Sequence, residues 1–417
     1  MTTAPLLEPA LLDTIITNDR LCIHFQPIVS IRRGAVMIAE ALARGIHPET
    51  GATIPPKVLF DTASATGKTV ALDRACRKGA LAAFASLRQY AKELILAINF
   101  ESSILDQNVL GSNHLLDSVR AAGLQPNQIV LEIVESAVSN IDDLRRFTER
   151  YRAEGFLIAL DDFGAGHSNF DRIPLLKPDI IKIDRCLIDG MSGEYHKREI
   201  VRSLVLMAHQ IGAITIAEGV EYTEDLLAAQ KSGIDMYQGF VFGKPGPANS
   251  GVLACPHAII TDAASSLRES QSRDMELRRE LCAEFCAIQD EFVKQLAASI
   301  PAEFDRLLNQ FIEDELALEA IYIASFEGVL VTNTHVQSNV LGHQRSRLVT
   351  PAPVGTDLSQ KPYCSGIQAG MDRFISEPYI SQATGDICIT LSRPFTCKDG
   401  AMHILCCDIA FSGADEI

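Results

Sequence analysis

The sequence predicts an α/β chain: a closed (β/α)8 barrel of the TIM type over residues 1–250, a linker helix over 251–300 and an α+β module over 301–417. Three observations predict it. Eight apolar, strand-like runs follow one another between about residues 20 and 245, most of them separated by amphipathic helical sequence. These runs are too continuously apolar for a sheet with one wet face. After Pro245-Gly246-Pro247 the pattern changes, first to charged helix and then to short strands and turns.

The barrel runs are LCIHFQPIV from Leu21, AVMIAEALA from Ala35, LILAINF from Leu94, IVLEIVES from Ile129, LIALDDF from Leu157, DIIKID from Asp179, TIAEGVE from Thr215 and MYQGFVFG from Met236. Between them lie helical stretches such as DLRRFTERYRAE from Asp143 and REIVRSLVLMAHQIG from Arg198. Eight strands over about 230 residues fit a closed barrel better than an open doubly wound sheet. From about Thr261 to Ile300 the chain reads as one helix, with Leu281, Phe285, Ile288, Phe292 and Leu296 drawing a single apolar stripe. Such a helix suits a lever or a dimer seam. A second helix restarts after Ser299-Ile300-Pro301, with Phe304, Leu307, Leu308 and Phe311 as its buried face. Beyond Glu319 the runs AIYIASFEG, VLVTNT, DRFISEPYIS, DICITLSRPF and MHILCCDIAF read as strands of a separate module.

Acidic side chains number 53 against 37 basic ones, a formal charge of −16. That balance argues against a surface built to grip a nucleic-acid polymer or an anionic membrane. An anionic substrate would need cations to hold it. No apolar run reaches the length of a bilayer crossing, and the first twenty residues lack the plan of a signal peptide, so a cytoplasmic location is expected. The eleven cysteines show no CxxC pair and fit neither a zinc site nor a secreted disulfide frame. Free, buried thiols are expected, although Cys282 with Cys286 and Cys406 with Cys407 are close enough in sequence to imagine a redox pair.

A polar residue stands at or near the carboxyl end of every barrel run: Gln26, Glu40, Asn99, Glu132, Asp161 with Asp162, Lys182, Glu218 and Gln238. Sites in barrels of this kind are built at that mouth. Five of the residues are carboxylates, which would repel one another or take up protons unless cations neutralised them. Oxygen ligands in that number, with one amide and no thiol or imidazole, favour Mg²⁺ or Mn²⁺. Two divalent ions together with Lys182 bring the mouth close to neutrality. Paired hard metals are the usual equipment for in-line attack of water on a phosphodiester. Gly164 and Gly166 release the backbone after Asp161-Asp162, so that the two neighbours can serve different ions.

Glu40-Ala41-Leu42, Gln26-Pro27-Ile28, Asp161-Asp162-Phe163-Gly164, Lys182-Ile183-Asp184, Glu218-Gly219-Val220-Glu221 and Gln238-Gly239-Phe240, followed by Phe242-Gly243-Lys244-Pro245, form an ordered set over about residues 20 to 247. In this the chain resembles the EAL family of cyclic-di-GMP phosphodiesterases. The resemblance implies hydrolysis of a bacterial second messenger, cyclic-di-GMP, to linear 5′-pGpG. It implies Glu40, Asn99, Glu132 and Asp161 as ligands of one metal and Asp161, Asp162 and Glu218 as ligands of a second. Lys182 then positions or deprotonates the attacking water, helped by Gln238. Gln26, Leu42, Arg44, Asp184 and Pro245 fall at substrate-contact positions, and Glu135 and Glu221 brace the loop after the fifth strand. Ca²⁺ is expected to support binding and inhibit turnover.

Three positions depart from the family pattern: Val134 and Ala165 stand where threonines are usual, and His167 stands for a tyrosine. None is a metal ligand, and all bear on the loop Phe163 to Asn169. Plain readings stand beside the functional ones: Glu135 and Glu221 as salt-bridge partners, Arg44 as a strand cap, His24 and His167 as packed or surface histidines. The C-terminal module, with Asp357 to Tyr363, Ile375 to Ile380, Thr384-Gly385-Asp386, Ile389 to Pro394 and Cys407-Asp408-Ile409, is similar to Cache or PAS-like sensor domains. That resemblance implies a five-stranded antiparallel sheet holding an unknown small ligand, with Tyr363, Arg373, Tyr379 and Asp408 as candidates. A dimerisation platform without ligand is the alternative. The expectation is therefore a homodimeric metal-dependent phosphodiesterase regulated by its C-terminal module, with an idle cyclic-di-GMP receptor or a signalling scaffold as the rivals.

Overall fold

The computed structural model describes residues 6–18, 20–88, 92–101, 113–134, 141–166, 170–248, 251, 257–338 and 349–410. The chain divides into two units, Met1–Glu269 and Ser270–Ile417, and the division falls inside a helix that runs His257–Ala297.

The first unit is a closed barrel. Its strands are β1 (Leu21–Ser30), β2 (Ala35–Ile46), β3 (Thr53–Ile54), β4 (Ile95–Phe100), β5 (Ile129–Val134), β6 (Leu157–Phe163), β7 (Ile180–Ile183), β8 (Ile214–Ala217), β9 (Met236–Tyr237) and β10 (Gly246–Pro247). They are ordered β10-β1-β9-β8-β7-β6-β5-β4-β2-β3, and a further pairing of β1 with β2 closes the ring. Eight of the ten close it, while β3 and β10 are two-residue annexes.

One feature departs from a regular (β/α)8 barrel. The strands from β2 to β9 that close the ring pair in parallel, but β1 is antiparallel to both of its ring neighbours, β2 and β9. The reason is the connection. Only Ile31-Arg32-Arg33-Gly34 separates β1 from β2, far too little chain for a helical crossover and enough for a hairpin. Gly34, at φ +66°, supplies the left-handed turn residue and donates to the Ile31 carbonyl at 3.1 Å. Gln26 accordingly lies in the middle of its strand, not at its carboxyl end, and still reaches the mouth because the register sets it opposite Glu40.

Alternation along the strands then divides the barrel interior into two layers. Ile28, Ile38, Ala97, Val130, Ala159, Ile180 and Ile216 form a buried apolar plug, with Met236 packed against it. Each lies two residues from a polar mouth residue on its own strand or just past its end: Gln26, Glu40, Asn99, Glu132, Asp161, Lys182, Glu218 and Gln238 respectively. Outside, helices seal the barrel with narrow stripes. The helix Tyr195–Gln210 buries Val201, Leu204, Val205 and Ala208, the three-and-four spacing of one helical face.

The second unit is an antiparallel sheet built from β11 (Leu318–Ser325), β12 (His335–Val336), β13 (Phe374–Ile375), β14 (Tyr379–Ile380), β15 (Ile387–Thr396) and β16 (Met402–Ala410). Five strands run β12-β11-β16-β15-β13, and the sixth, β14, pairs with the start of β15. One face carries Ile321, Ile323, Leu391, Leu405 and Cys407, packed against Phe292, Leu296, Phe304, Leu308 and Phe311. The last three sit on the helix Phe304–Asp314, and Phe285 and Ile288 pack at the border of the same cluster. Leu281 lies outside the described side chains. The opposite face carries Tyr322, Ile404 and Cys406, together with the buried Thr390, Ser392 and Asp408, and Tyr363 of the helix Pro362–Gln368 packs in the same cluster.

The structure does not bring Arg373 to that face. Its guanidinium pairs with Asp290 of the long helix at 2.5 Å, and Arg393 reaches the same carboxylate. Two arginines on one acid leave Arg373 committed to holding helix to sheet. The ten described cysteines form no disulfide, and five of them are buried, whereas Cys186 is exposed. Cys255 lies outside the described residues. Among the described residues no helix is long and apolar enough to cross a membrane.

Burial, opposed by hydrogen bonds from Thr390 and helped by the nearby Glu319, pushes the Asp408 carboxyl up to about 7. The folded unit thus holds a proton that the unfolded chain releases near pH 4. Its stabilising contribution is complete below that pH and is lost as pH rises through about 7. Tyrosine near-ultraviolet dichroism during urea unfolding should show the wild type losing on the order of 4 kcal/mol across this window relative to Asp408→Asn, in which the loss is absent.

Candidate active site at the barrel mouth

The polar layer converges on Lys182, which is 1% exposed. Its Nζ lies 2.5 Å from Glu218 Oε1, 2.8 Å from Asp161 Oδ1, 3.0 Å from Glu132 Oε1 and 3.9 Å from Glu40 Oε1. Four strands, β2, β5, β6 and β7, contribute to this contact set, with Glu218 just beyond β8. Burial alone would lower the Lys182 pKa, but Asp161, Glu132, Glu218 and Glu40 outweigh it and hold the ammonium well above its usual range. Lys182 is therefore the counter-ion of the ring. It is one cation against four carboxylates, and the acids show the deficit. Burial and the neighbouring Glu40 hold Glu132 well above the ordinary carboxylate range, and burial raises Glu218 to about 8 against the pull of Lys182.

Amides tie the first and last strands into the ring. Asn99 donates to Glu40 Oε1 at 3.2 Å, and Gln238 donates a short bond to Glu40 Oε2 and another of 3.2 Å to Gln26 Oε1. Gln26 in turn donates to the Gly243 carbonyl at 3.3 Å. Gly239 is required beside this network: a Cβ there would stand 1.9 Å from the Val220 carbonyl oxygen.

The residues present fit divalent cations. Asp161, Asp162 and Glu218 each offer an oxygen, all within 4.8 Å of one another, the only such trio among the described residues. Glu132 Oε2 is buried without a hydrogen-bond partner. Asp162 adopts a left-handed backbone, φ +54°, a conformation that a non-glycine residue holds at a cost. It turns the second carboxylate of the Asp-Asp pair toward Glu218 instead of across the sheet. Burial, then Asp161 and Asp184, raise the Asp162 carboxyl to about 6. Hard oxygen donors of this kind suit Mg²⁺, Mn²⁺ or Ca²⁺.

Two clefts meet at this ring. One, of about 300 Å³, is lined by Gln26, Asp161, Asp162, Lys182, Glu218 and Phe240 among others, with Arg185 and Glu221 at its rim. The other, of about 360 Å³, has apolar walls from Ile23, Phe60, Ile98 and Phe100 and a polar floor of Asp73 and Arg77. Glu40 and Leu42 line both. The floor is a buried ion pair at 2.5 Å, and burial raises Asp73 to about 6 in spite of it.

Not every expected residue comes to these clefts. Arg44 turns its guanidinium back on the Ala43 carbonyl, 2.9 Å away, and lines neither cleft. Pro245 also lines neither, and its neighbour Gly246 is drawn into pairing with Phe25. Asp184 caps the short helix Arg185–Ile188 by accepting from Cys186 N, and it acts on the site through Asp162. Glu221 accepts from Arg185 at 2.7 Å, so its salt-bridge reading is what the side chain makes. Glu135, His167 and Asn169 lie outside the described residues, as does the Val134 side chain. Arg185 was not expected. Gly219, at φ +66° and without a Cβ, leaves room for the Arg185 stem across the turn. The signal for it was present, since a basic residue directly after Lys182-Ile183-Asp184 follows the strand end at the mouth.

The EAL domain family model matches residues 9–245. Over 241 residues the chain is 33% identical to a protein of Pseudomonas aeruginosa named cyclic di-GMP phosphodiesterase NbdA, covering 55% of this chain and 29% of that one. It is 31% identical over 238 residues to the probable cyclic di-GMP phosphodiesterase PdeB of Escherichia coli, covering 57% and 45% respectively. The chain thus spans less than half the length of these curated relatives. Among solved structures, the Bacillus subtilis YkuI protein, which has an EAL domain and was crystallised with cyclic-di-GMP and calcium, superposes with a TM-score of 0.79 at 23% identity over 98% of this chain and all of that one. At that identity the likeness concerns the fold, and it extends through the second unit. BlrP1 of Klebsiella pneumoniae, in a calcium and cyclic-di-GMP complex, matches 60% of this chain and 59% of its own at 31% identity, with a TM-score of 0.50.

Removing the ring's one cation should leave buried carboxylates uncompensated. In chelator, Lys182→Met is expected to lose about 3–5 kcal/mol of unfolding free energy by urea titration. Asn99→Ala, which takes away one neutral hydrogen bond, should lose less than about 1.5 kcal/mol.

Proposed function

Because the chain belongs to the EAL domain family, we propose that it hydrolyses cyclic-di-GMP to linear 5′-pGpG with the help of two divalent cations, Mg²⁺ or Mn²⁺. The observation that carries the reading is the convergence of Lys182 with Glu40, Glu132, Asp161 and Glu218 on one buried point at the barrel mouth. A stable barrel has no use for four acids there, and each adds a desolvation cost that only cations offset. Glu40, Asn99, Glu132 and Asp161 would hold one ion, and Asp161, Asp162 and Glu218 the other. Such ions, when bound, polarise a phosphoryl oxygen and acidify water.

The protein's own groups would do the rest. Lys182 sits within reach of Glu40, Glu132, Asp161 and Glu218 and would hold the attacking water in place by hydrogen bonding. Gln238 fixes the orientation of Glu40 and, through Gln26, ties it to the first strand. Arg185 at the rim supplies a cation that an incoming phosphate could share with Glu221. The meeting of two clefts at Leu42 suits a ligand longer than a single phosphate, and the apolar walls of the second suit a planar base. The second unit we take as a PAS- or Cache-like regulatory module, and the working assembly as a homodimer.

The test is turnover. Purified chain incubated with cyclic-di-GMP and Mg²⁺ or Mn²⁺ should release pGpG, followed by chromatography, and Glu40→Ala or Lys182→Ala should slow release by about 100-fold or more. Ca²⁺ should permit binding and suppress release. Saturable binding with no product under any of the three ions would overturn the hydrolase reading in favour of a receptor.

A further inference from the structure

Period-two alternation sends the adjacent Cys406 and Cys407 of β16 to opposite faces of the second unit's sheet. Cys407 packs with Phe292, Phe304 and Leu308, whereas Cys406 lies in the cluster of Tyr322, Tyr363 and Cys364 on the other side. The adjacent thiols therefore point apart, and Cys406 has a different companion. Its two cross-strand neighbours fix the place of that companion. Cys406 stands opposite Tyr322 on β11 and opposite Ser392 on β15. Ser392 Oγ donates to the Tyr363 carbonyl at 2.6 Å, and the Tyr322 and Tyr363 rings meet edge-on with centroids 6.3 Å apart. Both contacts pin the start of the helix Pro362–Gln368 over Cys406, and Cys364 is the next residue of that helix. The two thiols share a side-chain hydrogen bond, and both cysteines are 0% exposed.

That hydrogen bond makes the two sulfurs unequal. Donation from Cys406 holds the Cys364 thiol below its usual range, against burial, while burial holds Cys406 well above its own. Cys364 is thus the sulfur that more readily gives up its proton, and the deprotonated form is the one that attacks an oxidant. Enclosure selects the oxidant: it excludes a bulky disulfide such as oxidised glutathione and admits a peroxide, about the size of two water molecules. Access comes through the helix, since a unit of seven residues opens locally at low cost.

We infer that Cys364 and Cys406 are a redox modification site, at which a peroxide converts the reduced pair to a disulfide that staples the helix Pro362–Gln368 to β16. The Cys364 sulfur attacks one peroxide oxygen and the O–O bond breaks. The departing hydroxide and the proton given up by Cys364 leave as water, and Cys364 becomes a sulfenic acid. The Cys406 sulfur then attacks the Cys364 sulfur, the S–O bond breaks, and a second water carries off the Cys406 proton. The two thiols lose two electrons to the peroxide, and each of its oxygens leaves as water. In the reduced chain the helix is held by packing and hydrogen bonding, and in the oxidised chain it is held covalently. The inference is independent of what the barrel hydrolyses.

Peptide mapping tests it. The full chain, purified in reductant and then freed of it, is treated with hydrogen peroxide, alkylated with iodoacetamide in denaturant and digested. A peptide joining Cys364 to Cys406, lighter by two hydrogens than its parts, should appear as the predominant cysteine linkage. It should vanish on treatment with dithiothreitol and fail to form with oxidised glutathione. The oxidised chain should unfold at a higher temperature than the reduced one, because the cross-link restricts the unfolded state. Cys406→Ala should abolish the linkage and leave a Cys364 sulfenic acid that dimedone traps, whereas Cys407→Ala should leave the linkage undiminished. The wild-type map decides the matter if the Cys406 variant fails to fold. Full alkylation of Cys364 and Cys406 after peroxide, a Cys406-Cys407 linkage in place of the expected one, linking by oxidised glutathione, or equal unfolding temperatures of the two forms would overturn the assignment.

Discussion

Everything at the mouth of the barrel depends on one buried ammonium. Lys182 sits where four acids from different strands would otherwise repel one another, and its bonds to Glu132, Asp161 and Glu218 are all 3.0 Å or shorter. It is held there by the plug beneath: Ile180, two residues earlier on β7, is locked among Ile38, Val130, Ala159 and Ile216. The plug gives the ring a dry floor, and the dry floor makes each uncompensated charge expensive. Stability and chemistry are therefore opposed at this point of the fold. The barrel carries acids that it does not need, and the site exists because the scaffold around it is stable enough to bear them.

The two units use the same device with different outcomes. In each, period-two alternation along a strand puts apolar residues on one side and a buried acid on the other. On β6 the acid is Asp161, drawn into a set of oxygens around a lysine; on β16 it is Asp408, flanked by Ile409 and Cys407 and facing hydroxyls and tyrosine rings. The first environment gathers several hard donors in one place and suits a small, highly charged ion. The second sets its carboxylate among neutral hydroxyls and aromatic rings, with Glu319 near enough to act on it.

Much of this was legible in the sequence, because strand polarity patterns are local. The apolar runs gave strands, and the polar residue breaking each run gave the ring, since alternation alone sends Ile180 and Lys182 to the same side. The helix restarting at Pro301 was equally visible, as the face of Phe304, Leu307, Leu308 and Phe311 is set by its spacing. What escaped was the direction of one strand and the partners of the long cations. The reversal of β1 depends on counting the four residues of its turn. The fate of Arg44 depends on a carbonyl one residue away competing for its guanidinium, and that of Arg373 on an acid 83 positions earlier in the chain. Long cations have enough reach and rotamer freedom that their partners are decided by the assembled surface and not by their neighbours in sequence.

The reversed first strand has a consequence for how the chain comes together. The ring is sealed where β1 meets β9 and β10, a seam stitched by Val29 to Tyr237, His24 to Pro247 and Phe25 to Gly246. The hydrogen bonds from Gln238 to Gln26 and Glu40 cross the same seam, joining positions 212 and 198 residues apart. Such contacts belong to the last loop to close and carry the largest entropy of closure in the unit. The amide that fixes Glu40 therefore reaches it only with the final strand of the ring. The geometry of the mouth is thereby tied to completion of the ring by the fold's own topology.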